Sequence, residues 1–229
     1  MKRALLFFPV LFAAGCDRNI PAAELGERLF SSRTLSTSPF NAFSCATCHT
    51  VGSKPPGRIA PGYDLFNVAH RGSWWGGYEI HLLDSVNVCL TQFMGGGKLN
   101  AEDEQARALY EYLDQQSPDD PTPPLPWTVV RDVTELGGLA GDAATGRDVY
   151  ERACKVCHGA PHSGAGRLGS KTSVIPEDTV KVFGSAARAV VVEKVRHGKF
   201  FHIGGTMAPY STEAISDQEI ADILAYLGL

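Results

Sequence analysis

The chain has 229 residues, 44% of them hydrophobic, and a formal net charge of -4. That length and composition suit one or two folded soluble domains. There is no basic excess and no long charge block, so nucleic acid is not expected as a partner.

Lys2 and Arg3 precede an apolar run at 4–14. The run is too short to span a bilayer but has the length of a signal h-region. Ala13, Ala14 and Gly15 then lead into Cys16. "AAGC" resembles a bacterial lipobox, with Ala13 where leucine is commoner. The expectation is a lipoprotein signal peptide at 1–15 and lipid on Cys16, which tethers the mature chain to the periplasmic side of a bacterial membrane. Ordinary secretion with cleavage nearby is the alternative.

The first predicted helix lies in "AELGERLF" (23–30), ahead of "CATCH" with Cys45, Cys48 and His49. Cys-x-x-Cys-His is the attachment motif of c-type haem. Its two thiols form thioethers with the porphyrin vinyl groups, and the adjacent histidine is the proximal iron ligand. Downstream come "WWGGY" (74–78) and "CLTQFMGGGKL" (89–99), which holds two sulfur side chains, Cys89 and Met94. Both stand at a distance from His49 that suits a distal loop. Exposed tryptophans at 74–75 would mark a docking surface, and buried ones ordinary pocket packing. "NAEDEQARALYEYLDQQ" (100–116) reads as the closing helix, capped by Asn100, with Ala106, Leu109, Tyr110 and Leu113 facing inward.

"QQSPDDPTPPLPW" (115–127) is proline-rich and aperiodic, a stiff extended linker. Beyond it, Asp142 is a plausible N-cap for a helix that turns Val149, Tyr150 and Ala153 inward. "CKVCH" follows with Cys154, Cys157 and His158, and "GGTMAPY" (204–210) offers Met207 as the distal ligand of a second haem. His162, His197 and His202 compete with it. "VRHGKFFHIGG" (195–205) reads as haem-edge and surface chemistry, with Arg196 either pairing with a propionate or facing solvent. Ser216 and Glu219 form a capping box before a stripe of Ile220, Ile223, Leu224 and Leu227.

Each half thus reads helix, CxxCH, irregular loop, helix, a layout that resembles the cytochrome c fold. The fold class expected is all-α: two cytochrome c-like haem domains, 16–116 and 140–229, joined by a proline-rich linker at 117–139, with two covalently attached haem c groups. A zinc site would bring its cysteine pairs within ~20 residues; here they are far apart and each is followed by histidine. With Cys16 assigned to lipid and four cysteines to haem, Cys89 has no disulfide partner. It is inert packing, a reactive thiol or an iron ligand.

The stretch around Cys89 also resembles thiosulfate dehydrogenases and the SoxA cytochromes, whose pattern is close to Arg-Ile-Asn-x-Cys-Phe-x-x-Ser-Met-Asn-Gly-x-x-Leu. Asn87, Cys89, Met94 and Leu99 match it, with Gly95 near the family's glycine. The likeness spans 44–117. It implies a thiolate distal ligand at Cys89, with Met94 as the competitor. Ser85 stands where the family has the arginine thought to bind the sulfur anion, so the ligand can carry over without the activity. Upstream, "LGERLFSSRTLSTSPFNAFSCATCH" resembles the opening of dihaem cytochrome c peroxidases, for which His70, His81 and Glu79 are the nearby acid–base candidates.

The leading expectation is a membrane-tethered periplasmic dihaem cytochrome, an electron carrier rather than an enzyme. Its partners are redox proteins or a membrane respiratory complex. The alternative is a thiosulfate dehydrogenase-type oxidoreductase with haem 1 catalytic and haem 2 as electron exit.

Overall fold

Each half of the chain begins and ends on a helix, and the two helices cross where a glycine removes the side chain between them. The computed structural model describes residues 20–52, 57–118, 121–128, 130, 133, 136, 138–200 and 205–229. The signal peptide, Cys16 and His202 lie outside the described residues. The first half carries α1 (Ala22–Ser31), the short α2 (Cys45–Cys48), α3 (Leu82–Val88) and α4 (Glu104–Gln115). The second carries α5 (Ala143–Ala153), α6 (Lys155–His158), α7 (Glu177–Phe183), α8 (Ala187–His197) and α9 (Asp217–Leu227). Among the described residues the only extended pairings are isolated bridges, Arg71 with Thr122 and Trp74 with Glu79. The fold is all-α. No helix among these residues is long and apolar enough to cross a membrane.

The α1–α4 and α5–α9 crossings are built alike. A Cβ on Gly26 would lie 2.0 Å from the Ala108 carbonyl oxygen, and one on Gly146 would lie 1.9 Å from that of Asp222. Ala108 and Asp222 open the related hexapeptides "ALYEYL" and "DILAYL". The tyrosine near the end of each packs on an aromatic from the opposite helix: Phe30 with Tyr112 at 5.6 Å, and Tyr150 with Tyr226 at 5.7 Å. Such contacts add directional attraction to the area they bury.

Asp142 caps α5 by accepting from the Thr145 amide at 2.7 Å, and Val149, Tyr150 and Ala153 are buried. The Ser216–Glu219 capping box and the buried stripe of Ile220, Ile223, Leu224 and Leu227 are both present. In α4 two expectations need correction. The N-cap is Asp103, and Asn100 lies in the turn before it, donating its amide to Asp103 Oδ2 at 2.7 Å. Ala106, Leu109 and Leu113 are buried, but Tyr110 is 50% exposed and Ala108 takes its place. The cause is the glycine contact, which puts Ala108 at the closest point of the crossing and turns Tyr110 outward.

The described part of the proline-rich segment is a docked strap rather than a free spacer. The Thr122 amide donates to the His70 carbonyl at 3.0 Å, and the Tyr63 hydroxyl donates to the Pro126 carbonyl. Trp127 sets its edge against Trp75 at 5.3 Å. The Thr128 amide donates to Glu213 at 3.2 Å, and its hydroxyl donates to the same carboxylate. Leu136 is buried in the core of the second half, with Val133 against it.

Gly26→Ala is expected to destabilise the first half by about 1–3 kcal/mol through overpacking, although alanine favours an isolated helix by about 1 kcal/mol; thermal denaturation reads the sign. At Glu213, burial raises the carboxyl pKa, but the hydrogen bond from the Thr128 hydroxyl and further bonds from the Glu213 backbone, Ser211 and the Thr128 amide outweigh it and bring it down to about 2. A lowered folded pKa means that this contact supports the strap above the ordinary carboxylate range and fails as pH falls toward 2. Proteolysis near residue 128 should therefore accelerate on acidification in the wild type, and Glu213→Gln should flatten that dependence.

Candidate haem-binding sites

In the first half, Cys45 and Cys48 sit on α2, where the Ser44–Thr47 capping box starts the helix and places both thiols on one turn. His49 follows in extended backbone. Its Nδ1 meets the Tyr63 carbonyl at 2.8 Å. A carbonyl can only accept, so Nδ1 carries the proton and Nε2 keeps its lone pair. Gly62 makes room for the ring, since a Cβ there would lie 2.3 Å from His49 Cε1. Burial lowers the His49 pKa, which favours the neutral imidazole a metal needs.

Cys45, Cys48, His49, Cys89 and Met94 all line one cleft. Its lining is mostly apolar, which suits a hydrophobic group attached through the two cysteines. Trp74 and Trp75 line it as well. They are half-buried, and Trp74 Nε1 is buried without a hydrogen-bond partner in a wall otherwise mostly apolar. An unpaired donor facing such a cleft fits a bound group with peripheral acceptors. The tryptophans therefore belong to the pocket.

The stretch 89–99 is shaped from both ends. A π-helical turn, Cys89–Phe93, extends α3. Asn87 then clasps Leu99, donating Nδ2 to its carbonyl at 3.0 Å and accepting from its amide at 2.8 Å. The Ser36 hydroxyl holds the Met94 carbonyl at 2.8 Å. Burial pushes the Cys89 thiol pKa up, with smaller contributions in the same direction from Cys45 and Cys48; all three line the same cleft. Met94 is buried in the same wall. His70 is turned away, with its Nε2 2.6 Å from the Ser117 carbonyl, while His81 is exposed and Glu79 pairs through its backbone with Trp74.

The second half repeats the histidine geometry. His158 Nδ1 meets the Ser173 carbonyl at 2.9 Å, again leaving Nε2 for a metal. Burial lowers its pKa too. Met207 is half-buried and packs on the core of this half. Its loop is laced to α8: the Lys199 amide donates to the Met207 carbonyl at 3.0 Å, and the Tyr210 amide to the Val195 carbonyl at 2.7 Å. Gly198, at φ +56°, is required there, because a Cβ would lie 2.4 Å from the Met207 oxygen. The Tyr210 hydroxyl reaches the Ala153 carbonyl at 2.9 Å, which ties the loop to the residue before Cys154.

Arg196 and His197 depart from the surface reading, since each is only 3% exposed. Arg196 Nη1 donates to the carbonyls of Tyr210, Ser211 and Ile215 at 3.2, 3.2 and 2.7 Å, and Nη2 donates to Asp217. It clamps the methionine loop to the start of α9 rather than facing solvent. His197 is engaged at both nitrogens, by Glu193 and by the Val130 carbonyl, and exposed His162 meets Glu177 at 2.6 Å. The histidine anchors Tyr63 and Ser173 act through backbone carbonyls, so no side-chain signal announces them. The Asn87–Leu99 clasp had one, the matched family positions.

Arg196→Met should destabilise the second half by roughly 3 kcal/mol, because the buried Tyr210 and Ile215 carbonyls lose their arginine donor and Asp217 loses its cation. Denaturant unfolding reads the loss, and hydrogen exchange should rise first at 207–211.

The family model described as cytochrome c oxidase, cbb3-type, subunit III matches residues 141–227. No curated protein matches the chain. Among solved structures, the as-isolated form of thiosulfate dehydrogenase (TsdBA) from Marichromatium purpuratum aligns at 19% identity with a TM-score of 0.42. The alignment covers 90% of this chain and 45% of that one, so this chain spans less than half of that protein's length. Residues 141–227, with Cys154, Cys157 and His158 inside them, form a cytochrome c domain, and the chemistry of such a domain is electron transfer.

Proposed function

We propose that the chain is a dihaem c-type cytochrome that passes electrons between redox proteins or to a membrane respiratory complex, held at the periplasmic face of a membrane by lipid on Cys16. One observation supports it above the rest. Two histidines, each directly after a Cys-x-x-Cys pair, have Nδ1 held by a backbone carbonyl 14 or 15 residues later. This arrangement fixes the tautomer and aims Nε2 at a metal.

Cys45 and Cys48 in one half, and Cys154 and Cys157 in the other, are the thioether positions; His49 and His158 are the proximal ligands. A bound haem supplies one-electron exchange at iron. The protein's part is to orient the imidazoles, exclude water with Trp74, Trp75 and the two helix pairs, and supply the sixth ligand. At the second site Met207 would hold the iron together with His158, and a haem bound by both residues would supply electron exchange without a site for substrate.

At the first site, the presence of Cys89 in the cleft that holds the attachment cysteines favours a second reading. A thiolate there, ionised by the metal despite its burial, would make the first haem the low-potential centre. An oxidoreductase of the thiosulfate dehydrogenase type would need such a centre, with the second haem as exit, although the ligand alone does not bring the activity. Arg71 also lines the first cleft, but its Nη2 is committed to the carbonyls of Asp64 and Phe66. Ser85 stands in the family's arginine position, so the match lacks the residue thought to bind the anion, and the carrier reading stands first.

The haemochrome spectrum should give two haems per chain. EPR of the oxidised protein should show a low-spin thiolate species that disappears in Cys89→Ala; two methionine-type signals would assign Met94 instead. Thiosulfate-dependent ferricyanide reduction should be absent, and robust turnover would make the chain an enzyme.

A further inference from the structure

The two attachment motifs are fastened to each other by residues 57–59. The Ile59 amide donates to the Arg152 carbonyl at 3.0 Å, and Arg152 Nε donates to the Gly57 carbonyl at 2.7 Å. Arg152 lies two positions before Cys154. Between these bonds, Arg58 turns to the other motif and donates to the carbonyls of Ala46, at 3.2 Å, and Thr47. Its Nε is buried without a partner, and among the described residues no carboxylate pairs with it. Arg152, by contrast, is paired with Asp148.

Arg58 therefore sits where the two motifs meet: its side chain lies on the carbonyls that lead into Cys48, and both of its chain neighbours are bonded to Arg152, two positions before Cys154.

We propose that Arg58 is a shared charge between the two haems, a permanent cation that raises both reduction potentials together. The proposal rests on the dihaem reading. An oxidised haem carries one more positive charge than a reduced one, so a guanidinium that never deprotonates disfavours the oxidised form at both sites. The effect is strong because the group is partly buried and lacks a carboxylate to cancel it. As a positioning residue it also caps the end of α2, and that structural role alone would not move the second haem's potential.

Spectroelectrochemical titration of the full-length holoprotein separates these cases. Arg58→Gln should retain two haems and shift both redox waves to more negative potential. Arg58→Lys, which keeps the charge but loses the paired carbonyl contacts, should leave both waves near the wild-type values. A shift confined to one wave, no shift in either, or an equal shift in Arg58→Lys would overturn the proposal. If Arg58→Gln fails to mature, Arg58→Lys still decides: a negative shift of both waves there removes charge as the cause. A wild-type protein carrying fewer than two haems would instead sink the dihaem reading itself.

Discussion

The backbone contact at Gly26 with Ala108, and its counterpart at Gly146 with Asp222, is the constraint on which the rest depends. Two helices can approach this closely only where one side chain is absent. The approach fixes their rotation, and with it which residues turn inward. Phe30 and Tyr112, then Tyr150 and Tyr226, meet because the glycines set that geometry. A cleft for haem needs rigid walls, and in a half of about 100 residues the helix pair is the main rigid element available.

On this repeated frame the two halves secure their distal segments differently. In the first, a neutral amide, Asn87, closes the loop onto Leu99, and Ser36 reaches over from the N-terminal side. In the second, a buried cation, Arg196, gathers the carbonyls of Tyr210, Ser211 and Ile215. The first arrangement encloses two sulfur side chains within one short clasp. The second holds a single methionine between Gly198 and Tyr210. The two histidines share the bond from Nδ1 to a backbone carbonyl, so the halves differ most visibly in how these distal segments are held.

Much of this was legible in the residues. The CxxCH pairs, the α5 cap at Asp142, the α9 capping box and the buried stripes follow local rules of spacing and hydrogen bonding. The shared Tyr-Leu of "ALYEYL" and "DILAYL" marked the repeat before its aromatic contact was known. Less legible were features set by tertiary approach. Asn100 offers a good cap, but Asp103 reaches the amide that starts the turn. Tyr110 fits the period of α4 as well as Ala108 does, and only the glycine on the opposite helix decides between them. Arg196 and His197 look solvent-facing because charge usually is; their burial depends on carbonyls many residues away. The carbonyls of Tyr63 and Ser173 carry no compositional mark at all.

The strap formed by the described residues 121–128 bears on how fast a dihaem protein can work. A flexible tether would make each internal transfer wait for the halves to find one another. Pro126 held by Tyr63, Trp127 packed on Trp75 and Thr128 bound to Glu213 remove that search. On the dihaem reading proposed above, passage between the two centres would depend on their relative energies and separation and not on a search between the halves.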